Sequence, residues 1–196
     1  MSEEHLYSVL IVSASSTFNA ASSALFPASS YWPVDLVKNA SEARSKIGKT
    51  SYDIVVINTP LAEGDEAPLT ATICSKTNSC VLLLAGKEQY ETLYNEVSEY
   101  GAVVLAKPLS RPLFLQSLKV LCTMSIRIRN LTEKQQTVES KIKEISDVNR
   151  AKWLLIGYMK MTEDEAQKYI EKIAMDTRLS KMEVAKNIIQ VYQDYH

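Results

Sequence analysis

The amino-acid sequence predicts an α/β fold, a five-stranded parallel sheet covered by helices, followed by a long coiled-coil helix and a small all-α three-helix bundle. Three observations predict it. Apolar runs alternate with helix-forming stretches over the first half, no Gly or Pro occurs from residue 113 to 156, and two helix-capping signals follow. The predicted bounds are 1–112 for the α/β domain, 113–149 for the linker helix and 150–196 for the bundle.

The strands are predicted from five apolar runs that turn residues bound. Val, Ile and Leu fill both faces of these runs, as in IVVI at 54–57, which is typical of a sheet covered on both sides. The stretches between them are long enough to return the chain for a parallel strand. Strands are predicted at 8–12, 34–37, 53–57, 80–84 and 103–106, and helices at 15–25, 41–47, 66–75 and 87–99.

The carboxyl ends of the strands are where a parallel sheet of this class places its site. The first strand is followed by Ser13 and Ala14, the third by Asn58, the fourth by Ala85, and the fifth by Lys107 before a proline. The runs VLIV at 9–12 and YDIVVIN at 52–58, with the Lys-Pro pair, resemble a response-regulator receiver domain of flavodoxin-like fold over about residues 6 to 120. A different flavodoxin-like domain is the alternative.

A working receiver holds Mg²⁺ with acidic residues after its first strand and accepts a phosphoryl group on an aspartate that ends the third. Here those positions are Ser13, Ala14 and Asn58, and Ala85 replaces a hydroxyl residue. Mg²⁺ requires carboxylate oxygens, and an amide is too poor a nucleophile to accept a phosphoryl group. The resemblance therefore implies a pseudo-receiver without aspartyl phosphorylation, metal or cofactor. Of the family's site residues only Lys107 is retained, and it can be an ordinary surface lysine.

A coiled-coil seam is predicted along the helix that follows, because apolar residues alternate at spacings of three and four. Gln135 and Asn149 fall in the same register, where a polar side chain costs stability but fixes the alignment of the helices. The seam predicts a homodimer, and packing of the stripe against the chain's own C-terminal helices is the alternative. Its residues are Leu121, Met124, Ile128, Leu131, Gln135, Val138, Ile142 and Ile145.

Two capping boxes, at residues 162–165 and 180–183, mark the starts of two further helices. With the end of the long helix they predict a three-helix bundle. The residues predicted to form its core are Leu155, Tyr158, Met159, Ala166, Ile170, Ile173, Ala174, Ala185, Ile188, Ile189 and Tyr192, with Ala151 as a further close-packing position.

The strings AKWLL at 151–155, TEDEA at 162–166, AMD at 174–176 and EVA at 183–185, with Tyr169 and Arg178, resemble an ANTAR domain over about residues 146 to 191. Trp153 departs from the small residue that the family commonly has. The resemblance implies an RNA-binding transcription antitermination regulator. Such a protein stabilises paired hairpins in nascent leader transcripts, so that an overlapping terminator cannot form.

RNA loops are bound by cations and by flat side chains on which bases stack. Charge is expected from Lys152, Lys172, Arg178 and Lys181, and stacking planes from Trp153 and Tyr169. Arg178 is the strongest candidate, because its forked donors suit both phosphate and guanine. Tyr169 and Trp153 can equally be packing residues, and Lys172 and Lys181 ordinary solvated lysines.

Composition argues against an enzyme. The only histidines are His5 and His196, the three cysteines lack metal-ligand spacing, and no Gly-rich phosphate loop occurs. The net charge of −1 limits any nucleic-acid site to a local patch. The acidic start and the absence of a long apolar run predict a cytosolic protein without a membrane partner. A DNA-binding regulator, or an interaction module sequestered by a sensor protein, are the alternatives.

Overall fold

A computed structural model describes residues 5–61 and 64–193 of the chain, which divides into two compact units, Met1–Asn130 and Leu131–His196. His196 and the acidic start of the chain lie outside the described residues. The strands are β1 (Tyr7–Ser13), β2 (Tyr31–Val37), β3 (Ile54–Asn58), β4 (Cys80–Ala85) and β5 (Val103–Ala106). The helices are α1 (Ser16–Leu25), α2 (Ala40–Ile47), α3 (Glu66–Lys76), α4 (Tyr90–Val97), α5 (Arg111–Met159), α6 (Glu163–Thr177) and α7 (Lys181–Gln193).

The first unit is a parallel sheet with the strand order β2-β1-β3-β4-β5, which confirms the predicted fold class. Successive strand residues point to opposite faces of the sheet, so a strand contributes side chains to two apolar cores. Leu10 and Val12 of β1 pack in the core that α2, α3 and α4 cover. Val9 and Ile11 pack on the other side, where α1 and the start of α5 lie.

Strand β2 begins three residues earlier than predicted, at Tyr31 and not at residue 34. The added stretch contains Pro33, and proline has no N–H for a sheet hydrogen bond. Strand β2 lies at the edge of the sheet, where a missing donor costs no pairing. Trp32, beside it, is 65% exposed.

Helix α4 is shorter than the predicted span 87–99. A turn closes before it, with the Gln89 amide donating to the Gly86 carbonyl at 3.0 Å. A 3-10 turn follows at Ser98–Tyr100 and ends at Gly101, whose φ of 82° is the left-handed conformation that glycine adopts readily. A turn at each end therefore makes α4 shorter than its sequence pattern predicts.

The start of α5 packs on the sheet of the first unit. Leu121 is 1% exposed and belongs to the same core as Phe114 and Leu118, with Met124 and Ile128 packed against its edge. The assignment of Leu121 to an intermolecular seam is wrong, because its side chain is already buried within its own chain.

The second unit contains the end of α5 together with α6 and α7. Both predicted capping boxes are present: the Glu165 amide donates to Thr162 Oγ1 at 3.3 Å, and the Glu183 amide to Ser180 Oγ at 3.2 Å. Each glutamate also accepts from the cap residue's own amide, at 2.8 Å in both cases. These bonds satisfy amides that a helix start otherwise leaves free.

The core of the second unit largely matches the predicted set. Its buried residues are Ala151, Leu155, Ala166, Ile170, Val184, Ala185, Ile188 and Ile189. Val184, which was not predicted, is 1% exposed. Tyr158 and Met159 are 49% and 46% exposed, so their assignment to the buried core is wrong; the Tyr158 ring instead stacks on Tyr192. Helix α5 ends at Met159 and the chain reverses at Lys160, so Met159 lies past the last turn that the other helices cover.

Within the described residues, no helix has both the length and the apolar content to span a bilayer.

Candidate functional sites

The first site lies at the carboxyl edge of the sheet, where Ser13 of β1 pairs in register with Asn58 of β3. The Asn58 side-chain amide donates to Ser13 Oγ at 3.0 Å, and Lys107 Nζ donates to Asn58 Oδ1 at 3.1 Å and to the Thr59 carbonyl. Ser13 is fully buried and Asn58 is 5% exposed. These residues therefore form a connected polar network whose donors and acceptors satisfy one another.

The remaining two residues of this set lie at the same edge. Ala85 is buried at the end of β4, and Ala14 is exposed after β1. The five side chains include no carboxylate, and burial lowers the pKa of Lys107, which makes no ion pair with any described residue. Among the described residues, no cluster of three or more His, Cys, Asp or Glu side chains is placed to hold a metal ion.

In the second unit, two of the predicted RNA-binding lysines take part in ion pairs. Lys152 Nζ lies 3.0 Å from Glu163 Oε1, and its side chain is only 15% exposed. Lys181 Nζ lies 2.7 Å from Glu171 Oε1, and this hydrogen bond is the main reason that the Glu171 pKa is lowered. Both lysines hold α6 against a neighbouring helix, so their charge is largely neutralised within the protein.

The other two cations are exposed. Within the described residues, the side chains of Lys172 and Arg178 make no hydrogen bond or ion pair. Arg178 caps α6 with a left-handed backbone, at a φ of 58° and a ψ of 27°. This conformation is unfavourable for a residue with a Cβ atom and is usually left to glycine at helix ends. Arginine at this position is less stable than glycine would be, because of the left-handed backbone. Its guanidinium faces solvent.

The two aromatic candidates differ in their surroundings. Trp153 is 72% exposed on α5, so its ring is accessible for stacking. Tyr169 is half-buried and packs against the core of the unit. The structure thus places Tyr169 with the packing residues, as the alternative for this residue anticipated.

The outer surface of α6 carries further residues that were not singled out from the sequence. Met175 is 80% exposed, and Lys168 and Lys172 lie one turn apart on the exposed side of the helix. Single exposed apolar side chains are common on protein surfaces, so Met175 by itself assigns no site.

The lower part of the predicted seam is exposed. Leu131, Val138, Ile142 and Ile145 are 56%, 55%, 62% and 62% exposed, respectively. Packing of this stretch against α6 and α7 is therefore wrong as an interpretation. Those helices cover α5 only from Val148 onward.

Comparison with known proteins addresses the second unit directly. Residues 136–189 match the family model of the ANTAR domain. This segment is an ANTAR domain. It includes the end of α5, all of α6 and most of α7, and it also contains three of the exposed seam residues, Val138, Ile142 and Ile145.

One relative of this chain is the transcriptional regulatory protein PdtaR of Mycobacterium tuberculosis. It is 26% identical over 139 residues, which cover 70% of this chain and 67% of PdtaR. Together with the family match, this similarity relates the chain to regulatory proteins that carry an ANTAR domain.

Solved structures match the first unit. A signal receiver domain of a histidine kinase from Syntrophus aciditrophicus has a TM-score of 0.52 at 21% identity, covering 60% of this chain and 90% of that one. The chemotaxis response regulator CheY4 of Vibrio cholerae has a TM-score of 0.52 at 19% identity, with 60% and 99% covered. A structure titled adenylate cyclase from Rhodopirellula baltica has a TM-score of 0.58 at 14% identity, with 69% and 98% covered. At these identities the matches show the receiver fold alone.

Proposed function

We propose that this protein is an RNA-binding transcription antitermination regulator that stabilises paired hairpins in nascent leader transcripts. The observation that carries the proposal is the ANTAR match over residues 136–189, which includes every helix of the second unit. The exposed side chains of that unit support it, because they combine unpaired cations with an accessible indole ring.

Arg178 and Trp153 are the residues that we expect to contact RNA most directly. The guanidinium of Arg178 has no protein partner among the described residues, so it can donate to phosphate or to a guanine edge without breaking a bond. Trp153 offers a stacking plane that suits any unpaired base. Lys172 adds charge on α6, whereas Lys152 and Lys181 contribute less because carboxylates already pair with them.

The test uses two variants that make the same backbone change. Lys160 is the other non-glycine residue with a left-handed backbone, at a φ of 57°, and it is also an exposed cation. Arg178→Gly and Lys160→Gly each remove one charge and each relieve about 1 kcal/mol of backbone strain. We expect only Arg178→Gly to weaken binding to a dual-hairpin RNA, by about tenfold or more, because a charge-assisted hydrogen bond contributes about 1.5–3 kcal/mol.

Binding is measured for the dual-hairpin RNA and for a duplex DNA at matched salt, since salt alone changes nucleic-acid affinity steeply. Preference for the RNA, lost in Arg178→Gly and kept in Lys160→Gly, supports the proposal. Preference for duplex DNA would instead favour a DNA-binding regulator. Absence of binding to either would favour an interaction module that a sensor protein sequesters.

The regulator is proposed to act as a homodimer, because a second copy would bury the exposed apolar residues of α5. These residues lie in the same domain as the proposed RNA-binding surface. Two copies joined along α5 present two bundles, which suits a target made of two hairpins. Substitution of Ile142 tests this part of the proposal, because loss of the seam should shift the solution mass toward the monomer.

Control of this regulator is proposed to be independent of aspartyl phosphorylation and to come from a partner protein or a ligand. Asn58 occupies the acceptor position, and its amide is held by Ser13 and Lys107 in a network without carboxylates. Incubation with acetyl phosphate and Mg²⁺, followed by mass spectrometry of the intact chain, should give no adduct. A phosphoryl adduct that maps to residues 6 to 120 would refute this part of the proposal.

A further inference from the structure

A pocket of about 370 Å³ opens beside the carboxyl edge of the sheet, between α1 and the start of α5. Its size is within the range of small-molecule sites in proteins. Its walls are mostly apolar and include Phe18 and Leu25 from the α1 side and Phe114 from α5. The pocket lies wholly within the first unit.

The lining of the pocket carries two cations. Lys107 and Arg111 both line it, together with Asn58. Lys107 Nζ donates to neutral acceptors of the described residues, and the Arg111 guanidinium donates to the Ala24 carbonyl at 3.3 Å. Among the described residues neither cation makes an ion pair.

Among the described residues, no carboxylate compensates the charge of Lys107. Burial lowers the pKa of Lys107, which means that its charged form loses hydration. An anion placed beside Lys107 would offset that loss. Inorganic anions would leave the apolar walls unused, whereas an anion with a hydrocarbon body would displace water from them.

We propose that the pocket binds a small organic anion, an aliphatic or aromatic monocarboxylate. Its carboxylate lies at Lys107 and Arg111, and its hydrocarbon body packs against Phe18, Leu25 and Phe114. The binding claim is independent of the RNA claim. That such a ligand is the signal that controls the protein rests on the proposed function.

The probes are acetate, butanoate and hexanoate, with 1-hexanol as the uncharged counterpart, titrated into the full-length chain by calorimetry. Each methylene that enters the pocket should tighten binding about fourfold, equivalent to about 0.8 kcal/mol. Hexanoate should therefore bind about 16-fold more tightly than butanoate. It should bind about tenfold more tightly than 1-hexanol, which lacks the charge that Lys107 and Arg111 recognise.

Two variants of α1 separate occupancy of the pocket from general effects. Ala21 lines the pocket, whereas Ala20 is exposed on the same helix and does not. Leucine favours helix at both positions. Ala21→Leu should weaken hexanoate binding at least tenfold by filling the space, and Ala20→Leu should bind hexanoate as the parent protein does.

Three outcomes would overturn the proposal: no binding of any carboxylate, an affinity that does not rise with chain length, or equal hexanoate binding by Ala21→Leu and Ala20→Leu. The measurement contains no RNA. Its failure therefore leaves the RNA proposal standing, and failure of the RNA assay leaves this one standing.

Discussion

The exposed apolar residues of α5 give a quantitative prediction for self-association, tested by Ile142→Ala. Ile142 is 62% exposed within its own chain, so a dimer that buries it gains most of the hydrophobic free energy of the side chain. Alanine keeps the helix, because its helix propensity is the highest of all residues. The substitution therefore acts on the interface and not on α5 itself.

The expected magnitude follows from that exposure. Full burial of an isoleucine side chain contributes about 1.5–3 kcal/mol, and 62% of it gives about 1–2 kcal/mol per protomer. A two-fold symmetric seam buries the residue twice, which makes about 2–4 kcal/mol per dimer. At about 1.4 kcal/mol per factor of ten, the dissociation constant of the dimer should rise by about 30- to 1000-fold.

Sedimentation velocity over a concentration series measures this constant. The control is Ser140→Ala, since Ser140 lies on the opposite side of α5 in the heptad register and is exposed. It should leave the dissociation constant unchanged. A parent protein that stays monomeric at all concentrations, or an equal shift in both variants, would refute the seam.

Three further predictions concern stability. Thr162→Ala removes one half of a capping box and should lower the free energy of unfolding of the second unit by about 1 kcal/mol, measured by chemical denaturation. Leu155→Ala should cost about 2–5 kcal/mol and lower the calorimetric transition of that unit while the first unit melts as before, because Leu155 is 1% exposed in a small core. The Tyr52 hydroxyl and then the Lys46 ammonium lower the pKa of Asp35, so its contribution to stability is present above the ordinary carboxyl pKa and is lost as pH falls through the lowered value. Asp35→Asn should flatten this acid dependence of the urea midpoint, and an unchanged slope would contradict it.

The fold was largely predictable, because apolar strand patterns and helix-capping motifs are both local in the sequence and agree with each other. Strand β3 reads as IVVI and is buried on both faces, so its sequence alone indicates a covered parallel strand. The capping boxes at Thr162 and Ser180 mark helix starts to the residue, because their hydrogen bonds are local in the chain. The start of β2 was misplaced because it depends on the strand's position at the sheet edge, which no local pattern reveals.

The sequence predicted where the site residues lie, but it did not predict which side chains they contact. Ser13, Asn58 and Lys107 were placed at one edge from strand ends alone, and the structure joins them in one network. The ion pairs of Lys152 and Lys181 depend on the packing of α6 against α5 and α7. The spacing of residues along one helix carries no information about a carboxylate on another.

The ANTAR match begins at residue 136, inside α5, so the proposed dimer seam and the proposed RNA-binding surface lie within one matched segment. Ile142 and Leu155 lie on the same helix, 13 residues apart, so about 20 Å of helix separates the seam from the core of the bundle. Leu155 packs against α6 and α7, and α6 ends in Arg178. In the proposed dimer, contacts along the seam therefore fix the separation of the two Arg178 surfaces. A signal that changes pairing at Ile142 would then change binding at the proposed RNA surface without touching it, and this route would require no phosphoryl transfer at Asn58.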